Sequence, residues 1–130
     1  MDEIESLVKI ALDNYETSLM VFESGKYRIS IALSYYAMFT VGKALLLLKG
    51  VQINKHKGLV NKLGSYYVKE GEFNPEIAKK FSRAKTLREN ASYAMIDDFD
   101  KNTAQEMLEL TEDFFNESKK YINPNYFDSL

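Results

Sequence analysis

The sequence predicts an all-α protein, an up-and-down antiparallel bundle of four to five helices. Apolar residues recur every three or four positions along most of the chain, which is the repeat of one face of a helix. The chain has only two prolines and six glycines, too few for the many turns of an all-β fold. Short polar connectors separate the periodic segments, and short connectors join antiparallel neighbours.

The first two predicted helices both end at a glycine. The first covers residues 2–23 and ends before Gly25, and the second covers residues 26–49 and ends at Gly50. The second helix is apolar on every side rather than along one stripe. Such a helix is either central in its bundle or covered by a partner outside the chain.

The remaining helices are delimited by local capping signals. A third helix is predicted near 56–69. A fourth runs from Asn74-Pro75 to about residue 95, because asparagine caps helix starts and proline favours the first helical position. A fifth begins after Asp100 or Asn102 and ends before Pro124. Apolar residues in the tail, 125–130, predict that it docks on the bundle.

Length and charge limit the number of domains and the kinds of partner. A chain of 130 residues is typical of one domain, spanning 1–130. Residues 43–88 carry a net charge of +8 and residues 89–130 a net charge of −7. The basic middle suits a phosphate-bearing ligand or an acidic partner surface, or else oppositely charged helices simply pack beside each other. An isoelectric point near 5.5 argues against duplex DNA as a partner.

Several function classes are excluded by composition. There is no cysteine and one histidine, so disulfides, thiolate sites and a multi-histidine metal site within one chain are excluded. No metal and no cofactor are predicted. The longest uncharged stretch, 29–42, is 14 residues long, short of the roughly 20 that span a membrane. The N-terminus is acidic where a secretory signal is basic, so we expect a cytoplasmic protein.

Arg88 breaks the pattern of the fourth helix. At about 100° per residue it falls in the middle of the apolar stripe that includes Ile77 and Phe81. The neighbouring Arg83 and Lys85 fall off that stripe. A buried arginine must be paired or reach solvent. It therefore forms a salt bridge to another helix or lies at the bundle end, or it lines a cleft and binds phosphate.

Three segments resemble the HEPN domain (higher eukaryotes and prokaryotes nucleotide-binding). Residues 34–50 resemble its second helix, and His56-Lys57-Gly58 resembles its histidine-x-glycine motif. Residues 88–93 resemble its arginine-x-x-alanine-aspartate-tyrosine segment. The resemblance, over about residues 8–122, implies an up-and-down bundle that is commonly dimeric. Many prokaryotic members of the family are paired with a minimal nucleotidyltransferase as a toxin–antitoxin system.

The sequence departs from the family at the position of a catalytic histidine. Some members of the family are metal-independent ribonucleases with an arginine followed, four to six residues on, by a histidine. Here Arg88 is followed five residues on by Tyr93, and Ser92 replaces the usual aspartate. Tyrosine, with an unperturbed pKa of about 10, is a poor general base at neutral pH. His56 replaces the missing imidazole only if folding or dimerisation brings it to Arg88.

The leading hypothesis is therefore a binding protein for a nucleotide or RNA phosphate. Arg88 is expected to contact phosphate, Arg83 and Lys85 to add positive field, and Tyr93 or Tyr36 to stack on a base. A homodimer is expected to form through the second helix and the Arg88 cleft, with a nucleotidyltransferase as a further partner.

Two alternatives remain open at the level of sequence. One is a metal-independent endoribonuclease in which Arg88 stabilises the developing phosphorane charge and His56 or Tyr93 moves the proton. The other is a purely structural or interaction bundle in which Arg88 forms an internal salt bridge.

Overall fold

The computed structural model describes residues 2–53, 56–91 and 99–128, which form helices and no strand. The helices are α1 (Glu3–Glu23), α2 (Tyr27–Leu47), α3 (His56–Leu63), a π-helix (Gly64–Lys69), α4 (Pro75–Ala91), α5 (Lys101–Ser118) and a final 3-10 turn (Pro124–Phe127). The predicted all-α bundle is confirmed. The helices α1, α2, α4 and α5 alternate in direction, and α3 with the π-helix packs against α2 and α4.

Local signals fix the ends of the first two helices. The side chain of Asp2 accepts a hydrogen bond from the backbone N–H of Glu5 at 2.7 Å and so caps α1. Gly25 and Gly50 have φ values of 79° and 73°, a left-handed conformation that glycine adopts without steric cost. Both predicted ends are therefore confirmed to within two residues.

Helix α2 lies at the centre of the bundle. It contacts α1, α3, α4 and α5, and eleven of its residues are buried. By length and composition alone it is also apolar enough to cross a membrane, but 67% of its most apolar window is buried inside the bundle. Such burial is typical of the core helix of a soluble protein.

Small hydroxyl residues allow α1, α2 and α5 to approach closely. The Ser18 hydroxyl of α1 lies 3.0 Å from the hydroxyl of Ser30 and 2.7 Å from the hydroxyl of Ser34, and both of these serines are on α2. Thr111 of α5 donates to the backbone carbonyl of Met107 at 2.8 Å. All of these side chains except Met107 are fully buried, and each hydroxyl has a partner, so the polar cluster satisfies its hydrogen bonds inside the core.

An aromatic cluster packs α4 against the two central helices. Phe81 of α4 stacks on Tyr35 of α2, with ring centres 5.5 Å apart, and contacts Phe114 of α5 at 5.0 Å. Phe114 also meets Phe73, which precedes α4, edge to face. The apolar stripe that includes Phe81 continues two turns further along α4 to Arg88, so this packing turns Arg88 toward α2.

The third and fifth helices are shorter than predicted. The segment 64–69 is a π-helix because the buried Tyr67 hydroxyl donates to the carbonyl of Leu45, and the Tyr67 carbonyl accepts from the N–H of Phe73 at 3.0 Å. Helix α5 ends at Ser118, and a turn precedes Pro124. The predicted docking of the tail is confirmed for its described residues, 125–128, since Phe127 is buried and the Tyr126 hydroxyl donates to Asp2 at 2.9 Å.

Candidate functional site

Arg88 contacts a tyrosine of the central helix. Its Nη2 donates a hydrogen bond to the hydroxyl of Tyr36, and its Cζ lies 4.9 Å from the centre of the Tyr36 ring. Both side chains are half-buried. Among the residues that the structure describes, no carboxylate lies within 4.0 Å of the Arg88 guanidinium. The internal salt bridge that the sequence left open is therefore not found in this part of the chain.

The positive charge of Arg88 affects the pKa of Tyr35, a buried residue of the core. Burial raises the pKa of the Tyr35 hydroxyl above its ordinary value, and the cation of Arg88 opposes that rise. A phenol accepts a hydrogen bond from the guanidinium but carries no negative charge at neutral pH. A half-buried cation with a neutral partner favours the approach of an anion, because the anion supplies the charge that the phenol lacks.

The other two basic residues proposed for the site differ in their surroundings from Arg88. Lys85 forms an ion pair with Glu89 at 3.0 Å on a neighbouring flank of α4. Arg83 is exposed and lies about 140° around the helix from Arg88. Of the proposed ligand-binding residues, Tyr36 is thus the one that contacts Arg88 in the described part of the chain, while Lys85 lies one turn from Arg88 on the same helix and is paired with Glu89.

The side chains of two further proposed residues, Tyr93 and His56, are not among those that the structure describes. Tyr93 lies outside the described residues. His56 is the first residue of α3, and its side chain also lies outside the description. Their proposed roles beside Arg88 therefore stay predictions.

Arg83 instead lines a groove of about 610 Å³ between α4 and α5. One wall carries Lys80 and Arg83, and the opposite wall carries Glu106, Glu109 and Asp113. The acidic fifth helix thus faces basic residues of its own chain, which sequence reasoning left open. The three acids are spaced three and four positions apart on α5, a signal that would have placed them on one face.

Helix α2 also has an outward face that is only partly covered. Ile29 is 39% exposed, and Leu33, Tyr36 and Leu47 on the same face are half-buried. Beside them, α1 presents Leu7 and Ile10, and Ile10 is 51% exposed. Leu7 and Leu47 together line a small cleft of about 190 Å³, which shows that the two helices share this surface. We call the surface formed by these six residues the outer face.

The described residues form no candidate metal site. In the described ranges, no group of three or more histidine, aspartate or glutamate side chains is close enough to hold a metal ion.

Asp100, the acid that was expected to cap α5, accepts a hydrogen bond from the N–H of Thr103 at 2.8 Å. This bond holds the pKa of the Asp100 carboxyl below its usual value.

Comparison with known proteins shows which protein family the chain belongs to. The family model described as the HEPN domain matches residues 4–121. A protein of Methanocaldococcus jannaschii that is named as a candidate toxin is 35% identical over 105 residues, which are 81% of this chain and 75% of that protein. A second candidate toxin from the same organism is 30% identical and covers 92% of this chain and 82% of its own length.

Two further comparisons agree with this class. A UPF0332 protein of Archaeoglobus fulgidus is 30% identical, with 96% of this chain and 99% of that protein aligned. The crystal structure of TT1696 from Thermus thermophilus superposes with a TM-score of 0.79 at 12% identity, covering 94% of this chain and 100% of that one. The structural likeness concerns the fold alone. The chain belongs to the HEPN domain family, as the resemblance of its motifs implied.

Proposed function

We propose that this protein binds the phosphate of a nucleotide or RNA at Arg88, as a homodimer that acts with a minimal nucleotidyltransferase in a toxin–antitoxin-type pair. The observation that carries the proposal is the contact of Arg88 with Tyr36. A half-buried guanidinium is held by a phenol, with no carboxylate partner in the described part of the chain. Within the described part of the chain, such an arginine is oriented but not neutralised.

The geometry suits phosphate chemistry. A guanidinium has five N–H donors in a planar fork that matches the oxygens of a phosphate. Tyr36 engages the Nη2 group, and among the described residues no other hydrogen-bond partner is found for the remaining donors of Arg88. Because the Arg88 guanidinium lies over the Tyr36 ring, we assign Tyr36 the role of orienting Arg88 rather than stacking on a base.

The outer face supports the homodimer. Exposed and half-buried apolar side chains of α1 and α2 adjoin Tyr36. The apolar residues of α2 were expected either to be central in the bundle or to be covered by a partner, and this outer part of α2 stays open to a partner. A second copy that packed its own outer face here would bury these side chains in both protomers. The Arg88 sites of the two copies would then flank a common interface.

The toxin–antitoxin setting rests on the family. Two of the relatives are named as candidate toxins, and the HEPN resemblance implies a nucleotidyltransferase as the partner. A partner that transfers nucleotides and a bundle with an oriented arginine would share one substrate chemistry, the nucleoside phosphate.

Thermal unfolding with and without nucleotides tests the proposal. A ligand that binds only the native state raises its melting temperature by mass action. We expect nucleoside triphosphates or short RNA to raise the melting temperature of the wild-type protein and of Lys79→Met, which removes one exposed charge from the same helix. Arg88→Met should lose the rise. A rise that survives in Arg88→Met would contradict the proposal.

A further inference from the structure

Each wall of the groove between α4 and α5 has the residue spacing of a helix-packing surface. On α4 the lining residues are Lys80, Arg83, Ala84 and Leu87. On α5 they are Thr103, Glu106, Met107 and Leu110, with Glu109 and Asp113 beside them. Each set contains the i, i+3, i+4, i+7 order of side chains that one helix presents to another. Among the described residues, α4 and α5 alone line the groove, so no third helix of this part of the chain covers it.

The floor of the groove is apolar. Ala84, Met107 and Leu110 are buried, and Leu87 is half-buried. Charged side chains flank this floor on both sides. An apolar seam between charged flanks is the surface on which an amphipathic helix docks, because its apolar stripe fills the seam and its flanking side chains meet the rims.

The two rims of the groove carry opposite charges. Lys80 and Arg83 are exposed on the rim of α4, and Glu106, Glu109 and Asp113 are exposed on the rim of α5. In the described ranges, no ion pair joins the two rims. A partner that lies between the rims therefore meets a positive row on one side and a negative row on the other.

We infer that this groove is a docking site for one amphipathic α-helix of a partner protein. The helix places an apolar stripe on the floor, acidic side chains against α4 and basic side chains against α5. Charge complementarity favours this occupant over a nucleic acid, because the acidic rim repels phosphates and such repulsion excludes the wrong partner. A second copy of this chain that brought the same groove would set one concave surface against another and leave the floor unfilled.

The groove lies apart from Arg88 and from the outer face. The middle of the α4 wall lies about 90° around the helix from Arg88, and the outer face belongs to α1 and α2. A partner helix can therefore bind while Arg88 keeps its contact with Tyr36 and while a second copy covers the outer face. The inference goes beyond the proposed function and does not depend on it.

The length of the groove determines the probe. Thr103 and Asp113 are ten residues apart, which is about 15 Å, or roughly three turns of helix. A designed peptide of about 18 residues covers this length and is long enough to form a helix in water. Three labelled peptides share one leucine stripe and differ in its flanks. The mixed peptide has glutamates on one flank and lysines on the other, and the remaining two have glutamates or lysines on both flanks.

Fluorescence anisotropy of these peptides tests the inference. Wild-type protein should bind the mixed peptide about tenfold more tightly than either single-sign peptide, because each of those places like charges against one rim. The direction of the mixed peptide need not be fixed, since turning it end for end exchanges its flanks. A peptide with the mixed flanks but glutamines in place of the leucines should lose most of its affinity, because exposed ion pairs alone contribute little.

Reversing the charge of one rim should change the preferred peptide. The double variant Lys80→Glu, Arg83→Glu has two acidic rims and should bind the all-lysine peptide about tenfold more tightly than the mixed one. The matched control Lys79→Glu, Lys101→Glu makes the same change of charge at exposed positions that do not line the groove. It should keep the preference of the wild type for the mixed peptide.

The opposite rim provides the reciprocal test. The triple variant Glu106→Lys, Glu109→Lys, Asp113→Lys has two basic rims and should prefer the all-glutamate peptide. All of these residues are exposed, so circular dichroism should show that each variant keeps the helical fold.

Three results would overturn the inference. One is a wild type that does not bind the mixed peptide or binds all three peptides equally. Another is a control double variant that changes its preference as the groove variant does. The third is a groove variant that lowers the oligomeric state of the protein alone in sedimentation velocity, because a second copy would then be the occupant. None of these measurements uses a nucleotide, so they leave the proposed role of Arg88 to its own test.

Discussion

Arg88 on α4 and Tyr36 on α2 are joined by a hydrogen bond from guanidinium to phenol, with the guanidinium carbon 4.9 Å from the ring centre. The two residues are fifty-two positions apart in sequence. The contact exists because Phe81 packs on Tyr35 two turns earlier, which sets the rotation of α4 against α2. The arginine is thus held in place by the core, and in the described ranges no carboxylate pairs with its charge.

Replacing Arg88 by methionine should cost little stability. In the described part of the chain its partner is a neutral phenol, so no buried carboxylate is left unpaired. We expect the free energy of unfolding to change by about 1 kcal/mol or less in urea titrations. A loss of about 3–5 kcal/mol is the effect of breaking a buried ion pair, and it would revive the structural interpretation of Arg88.

Tyr36→Phe tests whether the phenol orients Arg88. The variant keeps the ring under the guanidinium but removes the hydroxyl that accepts its hydrogen bond. We expect phosphate affinity to fall several-fold, since one net hydrogen bond is worth about 1 kcal/mol, while the melting temperature stays within a few degrees of wild type. Affinity equal to that of wild type would show that the hydroxyl has no positioning role.

Ile29→Glu tests the homodimer. The change places a charge on the outer face, where a second copy would have to desolvate it without a partner. Sedimentation velocity should show dimers for the wild type and monomers for the variant. Met20→Glu is the control, because Met20 is 62% exposed on α1 and lies away from the outer face. A monomeric wild type, or dimers in both variants, would contradict this interface.

The raised pKa of the Tyr67 hydroxyl predicts that the protein loses stability at high pH. Burial raises the pKa of its hydroxyl from 10.0 to about 12. Between these values the folded protein holds a proton that the unfolded chain has released, so stability falls as the pH rises through this window. Denaturant titrations across the window should show a shallower fall for Tyr67→Phe. An unchanged slope would mean that the other buried tyrosines, Tyr15 and Tyr35, account for the whole effect.

The ribonuclease alternative is tested with metal-free protein and labelled RNA. We expect no cleavage, because the chain lacks the motif histidine after Arg88. Cleavage by the wild type and not by Arg88→Ala would contradict this expectation. It would also direct attention to His56 as the proton carrier.

The sequence predicts those features that depend on neighbours along the chain. The ends of α1 and α2 at Gly25 and Gly50 follow from local conformation, and the place of Arg88 in an apolar stripe follows from helical period. The sequence does not predict the π-helix, because that segment is set by the long-range bond from Tyr67 to Leu45. Nor does it predict Tyr36 as the partner of Arg88, since helical period gives the rotation of a residue on its own helix but not which helix it meets.

The separation of Arg83 from Arg88 around α4 follows from the sequence alone. Their angular difference of about 140° on one helix already places them on different faces. Arg83 was accordingly expected to add positive field rather than to contact the ligand. The groove that Arg83 lines, with acids on its opposite wall, could be seen only once α4 and α5 were packed together.

The most direct measurement is a calorimetric titration of a nucleoside monophosphate, and of the matching nucleoside without phosphate, into wild type, Arg88→Met and Lys79→Met. If Arg88 binds phosphate, the monophosphate binds the wild type and Lys79→Met, the nucleoside binds neither, and Arg88→Met binds neither ligand. Monophosphate binding that is unchanged in Arg88→Met, or that the nucleoside reproduces, would contradict the central claim that this arginine is held by Tyr36 to receive a phosphate.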